Sequence, residues 1–203
     1  MYYHRIVSNF DASALIRGVT ALSELLGRRR NVHEFLGDLV RTVAEHMNAD
    51  VCSVYLYDIE NDELVLRATT GLNTSLEGVV RLAAGEGLAG FAFQQNRPVV
   101  ETDTAKSKIN KAIPDLGEEE YPAYIGVPIK RNNLGIGVLT LQYTEPTLLD
   151  DGTTRALRTI ASHLAATLEN AAALYELHET EHDRPIVVGE PFEGGLIHGT
   201  SAS

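Results

Sequence analysis

The side chains that could do chemistry are few and widely spaced. Seven histidines (His4, His33, His46, His163, His178, His182 and His198) are scattered over predicted helices and terminal segments. Only His178 and His182 stand four residues apart, and they fall at the end of a predicted helix, where a histidine ordinarily meets water or the helix dipole. No H-E-x-x-H string occurs, and the one cysteine, Cys52, has no second thiol with which to hold zinc or close a disulfide. A lone cysteine early in a strand reads as a small core residue, because thiol chemistry needs a lowered pKa and usually a resolving thiol. Gly85-Glu86-Gly87-Leu88-Ala89-Gly90 matches G-x-G-x-x-G, but no complete βαβ unit follows it. Its glycines read as a tight strand-to-helix turn, whose helix N-terminus could meet a carboxylate or phosphate. No catalytic residue, metal site or cofactor is therefore assigned, and an independent enzyme is disfavoured.

What remains is a constellation suited to binding. Ser53, Tyr55, Glu101, Asp103, Tyr121, Tyr124, Thr140 and Gln142 lie on predicted strands and on a long connecting loop. Side chains of these types can orient a small polar ligand in a mostly apolar cleft. The plainer reading is that they decorate a solvent-facing sheet. The loop from Thr102 to Tyr121 favours the cleft, since a stretch this long without a convincing period is uncommon in a compact domain and is often functional.

The elements that must position these residues follow from periodicity. Ala12 to Asn48 carries two helical stretches, with Leu15, Val19, Leu22 and Leu26 in the first and Phe35, Leu39, Val43 and Met47 in the second. Val51 to Tyr57 and Glu63 to Thr70 form a predicted β-hairpin around Glu60-Asn61-Asp62; in its second strand Leu64, Leu66 and Ala68 are expected on one side and Val65, Arg67 and Thr69 on the other. A short strand over Gly78 to Ala83, a short helix over Leu88 to Gln95 and a brief strand over Val99 to Glu101 precede the loop. Ala123 to Ile129 and Leu134 to Tyr143 make a second hairpin across Arg131-Asn132-Asn133, and a helix capped at Asp150 or Asp151 runs to about His178, with Leu157, Ile160, Leu164, Leu168 and Ala172 as its apolar stripe. Hairpins at both ends imply a mostly antiparallel sheet, and the missing βαβ repeat disfavours a Rossmann fold. The expected architecture is α+β, with the terminal helices on one face of the sheet and the short helix and long loop on the other.

Composition limits the partners. The 203 residues carry a formal net charge of −11, so nucleic acid and membrane surfaces are poor candidates. The run Arg28-Arg29-Arg30 is the exception and reads as a solvated turn between helices. No apolar run approaches the ~18 residues of a membrane span, and Met1 to Phe10 lacks a signal-peptide core, so the cytoplasm is the default compartment.

Ordered strings along the chain resemble a GAF domain. They are VCSVYLY at Val51 to Tyr57, ATTGL at Ala68 to Leu72, GEGLAGFAFQQNRPV at Gly85 to Val99, YIGVPI at Tyr124 to Ile129, GVLTLQ at Gly137 to Gln142 and TIASHLAATLENA at Thr159 to Ala171. The likeness covers roughly Leu15 to Tyr175, and the string FEGGLIHGTSAS at Phe192 to Ser203 resembles the start of a following domain. Together these are similar to the N-terminal sensory domain of the nitrogen-type phosphoenolpyruvate-protein phosphotransferases. The resemblance implies a central antiparallel sheet of about six strands. It divides the chain into a helical extension (1–30), a GAF domain (31–178), and a linker with the truncated start of the phosphotransferase domain (179–203). It also implies a small-molecule effector (an amino acid or similar metabolite, glutamine being the proposed ligand), a homodimer through the terminal helices, and a phosphocarrier protein reached through the missing domains. Thr70 stands where such family members often carry arginine, a departure that bears on ligand charge. The cyclic-nucleotide signature and the several cysteines of methionine-sulfoxide-reducing relatives are absent. A ligand-free dimerisation module of the same protein is the competing reading.

Overall fold

The computed structural model describes residues 32–145 and 151–176, the last six as backbone only. The expectations for the N-terminal helical stretch, the arginine run, Asp150, the His178–His182 pair and the segment from residue 179 lie outside these residues, as does the side chain of Ala172.

Helix α1 (Val32–Met47) buries Phe35, Leu36, Leu39, Val40, Val43, Ala44 and Met47. These recur at three- and four-residue spacing and so form a continuous apolar stripe. The helix stops at Asn48, whose φ of 53° is left-handed. Asn48 N–H donates to Glu45 O at 3.3 Å and Ala49 N–H to Ala44 O at 2.9 Å, which satisfies carbonyls the helix end leaves open.

Six strands follow the same order along the chain as the periodicity predicts: β1 (Val51–Asp58), β2 (Glu63–Thr70), β3 (Arg81–Ala83), β4 (Val99–Glu101), β5 (Ala123–Arg131) and β6 (Leu134–Tyr143). Helix α2 (Gly87–Gln94) lies between β3 and β4, and α3 (Asp151–Glu176) closes the described chain. The strands form one sheet in the order β3-β2-β1-β6-β5-β4, with every neighbouring pair antiparallel. The β5–β6 turn is a two-residue loop, with Asn132 and Asn133 both at positive φ, as a hairpin with right-handed strand twist prefers.

Side-chain alternation divides the sheet into two cores. On one face Cys52, Val54, Leu56, Ile125, Val127, Leu139 and Leu141 meet α1 and the α3 residues Leu157, Ile160, Ala161, Leu164 and Leu168. On the other face Tyr55, Leu64, Leu66, Tyr124 and Val138 meet Leu88, Ala89 and Ala92 of α2 and Leu116 of the long loop. Phe93 of α2 also stacks on Tyr57 of β1, with ring centroids 4.8 Å apart.

Two sequence expectations change here. The β1–β2 register jumps between Val54 and Tyr55, which face Ala68 and Leu66 respectively, leaving Arg67 as an extra residue. This bulge turns Ala68 into the helix-side core while Leu64 and Leu66 stay on the opposite face, so strict alternation fails at that point. The third strand is also shorter than Gly78 to Ala83. Gly78 sits at φ 76° and its N–H returns to Leu66 O at 2.7 Å, so regular pairing begins only at Arg81.

At Gly137 strands β1 and β6 approach closely. A Cβ there would run into the Tyr55 carbonyl and the Leu56 side chain. Gly37 in α1 has nothing within 4 Å of the same built atom. Gly137→Ala is expected to cost about 1–3 kcal/mol, whereas Gly37→Ala should add about 0.5–1 kcal/mol by improving helix propensity. Urea unfolding midpoints of the two variants check this pair, and equal effects would contradict the close β1–β6 approach.

Candidate ligand cleft

The face opposite α1 and α3 holds a cavity of about 290 Å³ floored by the central strands. Ser53 and Tyr55 of β1, Tyr124 of β5, and Thr140 and Gln142 of β6 share this floor. Register explains why they meet: Ser53 pairs with Thr140, and Tyr124 pairs with Gln142. Much of the floor is already committed to internal hydrogen bonds. Ser53 Oγ and Thr69 Oγ1 lie 2.7 Å apart, and Thr140 Oγ1 donates to Ser53 O at 3.4 Å. Tyr124 Oη and Gln142 Oε1 are different, being buried with no hydrogen-bond partner among the described residues. Buried polar atoms nearly always find a partner, so these two remain available to bond to water or to another group in the cavity.

The walls come from α2 and the long loop. Gly87, Leu88 and Ala89 present the first turn of α2, whose N–H groups have no carbonyl partner within the helix. The G-x-G-x-x-G string is the turn that aims this helix end. Gly85 and Gly87 have φ of 90° and 63°, and a Cβ on Gly90 would collide with the Ala83 carbonyl. The loop crosses the cleft and is pinned at several points. Leu116 is fully buried beneath it. Asn73 N–H and Nδ2 donate to Leu116 O and Asp115 O, each at 3.1 Å. Thr104 N–H donates to Pro122 O at 2.7 Å, and Lys111 pairs with Glu86 at the start of α2.

Three of the residues expected at the site lie elsewhere. Glu101 does pair in register with Tyr124, but its carboxylate accepts from Ser107 Oγ at 3.0 Å and holds the loop start. Asp103 is tied to Lys106 at 2.6 Å. Tyr121 Oη donates to Gly71 O at 3.1 Å and clasps the loop end to the end of β2. All three act on the loop's position and none of them lines the cavity.

The cleft also contains Glu118, which is not among the residues expected from the sequence. It opens a single 3₁₀ turn (Glu118–Glu120) directly after Gly117, whose φ of 89° redirects the chain inward. Gln142 and the Ile113 N–H donate to its carboxyl, yet burial and the neighbouring Glu119 prevail and push its pKa up to about 7. Burial also raises the Tyr55 and Tyr124 hydroxyls well above the usual tyrosine range, with Glu118 adding to both shifts. The signal that could have located Glu118 is its place between Leu116 and Tyr121, a buried anchor and a clasp. Cys52 faces the other core, where burial pushes its thiol up. Among the described residues no three His, Cys, Asp or Glu side chains gather as a metal site would require.

A sheet covered by helices on one face and enclosing a cleft under a pinned loop on the other is the GAF-like α+β architecture. A profile described as the GAF domain matches residues 29–169, and the chain belongs to that family. It is 34% identical over 140 residues to an Escherichia coli protein described as belonging to the phosphoenolpyruvate-dependent phosphotransferase system, a match covering 69% of this chain and 19% of that relative. Among solved structures it is similar to the GAF domain of a phosphoenolpyruvate-protein phosphotransferase from Coxiella burnetii, with TM-score 0.71 and 30% identity, covering 82% of this chain and 99% of that one. The GAF domain of the corresponding Acinetobacter protein aligns with TM-score 0.67 and 26% identity, covering 80% of this chain and 98% of that one.

The cleft chemistry makes two predictions. Folding resists ionisation of Glu118, because its pKa rises from the usual 4.5 to about 7. The resulting stability penalty is absent below about pH 4.5 and complete above about pH 7. The melting temperature of Glu118→Gln relative to the unaltered protein should therefore rise between about pH 5 and pH 8; a difference that is flat across that window would contradict the burial of this carboxyl. Gly126 leaves the space that the Tyr124 hydroxyl occupies, and a Cβ there would meet that ring. Gly126→Ala should displace Tyr124 and cost about 1–3 kcal/mol, with the largest chemical-shift changes on the cleft face rather than on α1 or α3.

Proposed function

We propose that this GAF domain is the regulatory, small-molecule-sensing module of a phosphoenolpyruvate-protein phosphotransferase, and that metabolite binding in the cleft controls autophosphorylation of the attached catalytic domains. The observation that carries the sensing reading is the pair of buried, unpartnered acceptor atoms, Tyr124 Oη and Gln142 Oε1, on the floor of a cavity of metabolite size. The parent assignment draws on the phosphotransferase relatives, of which this chain spans 19% of the length. The domain itself needs no catalytic group in this reading. The parent protein is cytoplasmic, forms dimers through its terminal helices and passes its phosphoryl group to a phosphocarrier protein.

An amino acid is the effector that suits the cleft best, with glutamine as the leading candidate. The first turn of α2 offers N–H groups suited to a carboxylate, while the sheet floor offers acceptors suited to N–H donors. A ligand bridging the two would tie α2 and the loop to β1, β5 and β6. Regulation requires only that the ligand bind more tightly to one of two arrangements of the domain, whose equilibrium it then shifts.

Thermal-shift measurements against free amino acids, 2-oxoglutarate and nucleotides test this. A ligand at a hundred times its dissociation constant adds ~2.7 kcal/mol, a readily visible shift. L-Glutamine should raise the melting temperature selectively, and Gln142→Leu should abolish the shift. If no compound stabilises the domain, the sensing role falls and the chain is better read as a dimerisation module.

A further inference from the structure

We infer that Glu118, set against Gln142 and Tyr124 on the cleft floor, is the receptor for a protonated amine of the ligand. The inference rests on the reading of the cleft as a ligand site and assigns the group that recognises one end of the ligand. Three acceptors converge there. The Glu118 carboxyl is hydrogen-bonded to Gln142, the Gln142 amide keeps a buried Oε1 without a partner, and the Tyr124 hydroxyl is likewise buried and unpartnered. An ammonium group offers three donors and no acceptor, which complements such a cluster.

Charge points the same way. Among the described residues Lys111 is the one basic side chain lining the cavity, and it is paired with Glu86. Glu119 stands beside Glu118 and adds negative charge, and the titratable groups facing Glu118 from the sheet are the hydroxyls of Tyr55 on β1 and Tyr124 on β5, both neutral at physiological pH. Among the described residues the acidic end of the cleft therefore has no counter-ion other than that paired lysine. A cation entering here meets a partly desolvated carboxylate, where a charge-assisted hydrogen bond is strongest. A keto acid or an N-acylated analogue of the same skeleton brings no cation, so the site selects against both.

Proton linkage follows from the balance of charge. Near neutral pH the free cleft holds Glu118 partly protonated. A bound ammonium favours the carboxylate, so binding releases a fraction of a proton to solvent, and affinity rises as pH increases through about 7 until the ligand's own amine begins to lose its proton.

The experiment is a carbon-13 NMR titration of glutamate carboxyls in the 203-residue chain, with the Glu118 signal assigned by its loss in Glu118→Gln. Ethylammonium chloride and an equal concentration of sodium chloride are the simple probes, and L-glutamine, N-acetyl-L-glutamine and 2-oxoglutarate are the skeleton-matched ones. The expected result is that ethylammonium lowers the Glu118 midpoint relative to sodium. L-Glutamine lowers it further, N-acetyl-L-glutamine leaves it unmoved, and Glu118→Gln weakens L-glutamine binding by at least about tenfold, with Glu118→Asp retaining part of the affinity. An ethylammonium midpoint equal to that in sodium overturns the amine receptor, as does N-acetyl-L-glutamine or 2-oxoglutarate binding as tightly as L-glutamine. If ethylammonium shifts the midpoint but L-glutamine does not, glutamine is excluded as effector while the amine receptor stands.

Discussion

The pairing of β1 with β6 at the centre of the sheet is the constraint on which the rest of the domain depends. It joins segments far apart in sequence, so that Ser53 and Thr140 hydrogen-bond across 87 residues. Every other strand is added outward from this pair, β2 and β3 on one side and β5 and β4 on the other. Each hairpin has its own covering helix, α1 over β1 and β2 and α3 over β5 and β6, and the β1–β6 pairing joins the two halves into one sheet. Loop-closure entropy opposes that step, and the apolar area buried under α1 and α3 offsets it. The smallness of Gly137 lets the two strands approach, and the same approach brings the cleft floor together.

Once formed, the sheet treats its two faces differently. The helix side is an apolar core, with residues such as Leu39, Val127, Leu139, Leu141, Leu157 and Leu164 fully buried. The cleft side carries Ser53, Thr69, Thr140 and Gln142 at similar depth. Buried hydroxyls and amides stabilise only when their hydrogen bonds are made, and an unmade one costs about 1–3 kcal/mol. Ser53 and Thr69 satisfy one another, whereas Tyr124 Oη and Gln142 Oε1 have no partner among the described residues. The helix-side core must carry that cost, which is a common relation between a stable scaffold and a binding face. The loop is stabilised in the same economical way, with Leu116 as an apolar anchor and polar ties to Asn73, Gly71 and Glu86 around it.

These contrasts explain which features the amino-acid sequence discloses. Period-two alternation is a local signal, and in the structure it carries Ser53 and Tyr55 of β1 and Thr140 and Gln142 of β6 to one face of the sheet. The β-bulge at Arg67 is not local in that sense. No glycine or proline marks it, and its effect on Ala68 appears only when β2 is laid against β1. The loop was harder still. Glu101, Asp103 and Tyr121 have the residue types of ligand contacts, yet each is consumed by a bond to the loop or to β2. Glu118 has the composition of a solvated acidic run, and only the inward turn after Gly117 and the burial of Leu116 bring it to the cleft. Residue type tells what a side chain can bond to; it does not tell which competing partner reaches it first.

The geometry of strands also bears on how a cleft on one face could influence helices on the other. Adjacent residues of a strand point to opposite faces, so Gln142 on the cleft floor is bonded to Leu141 in the helix-side core, and Tyr124 to Ile125. A ligand drawing Gln142 and Tyr124 together would act on β5 and β6, the strands on which α3 rests. Close-packed cores do not deform continuously, so a small strand displacement is either absorbed at the cleft or passed on as a discrete shift of the helix. In the proposed sensing role the absorbing element is the loop and the transmitting element is α3. The loop's ties are polar and partly exposed, and they yield at lower cost than the apolar contacts beneath α3. A ligand that satisfies the floor while leaving the loop unmoved would therefore bind without signalling, and it is engagement of both the floor and the first turn of α2 that would convert occupancy into a change at the helices.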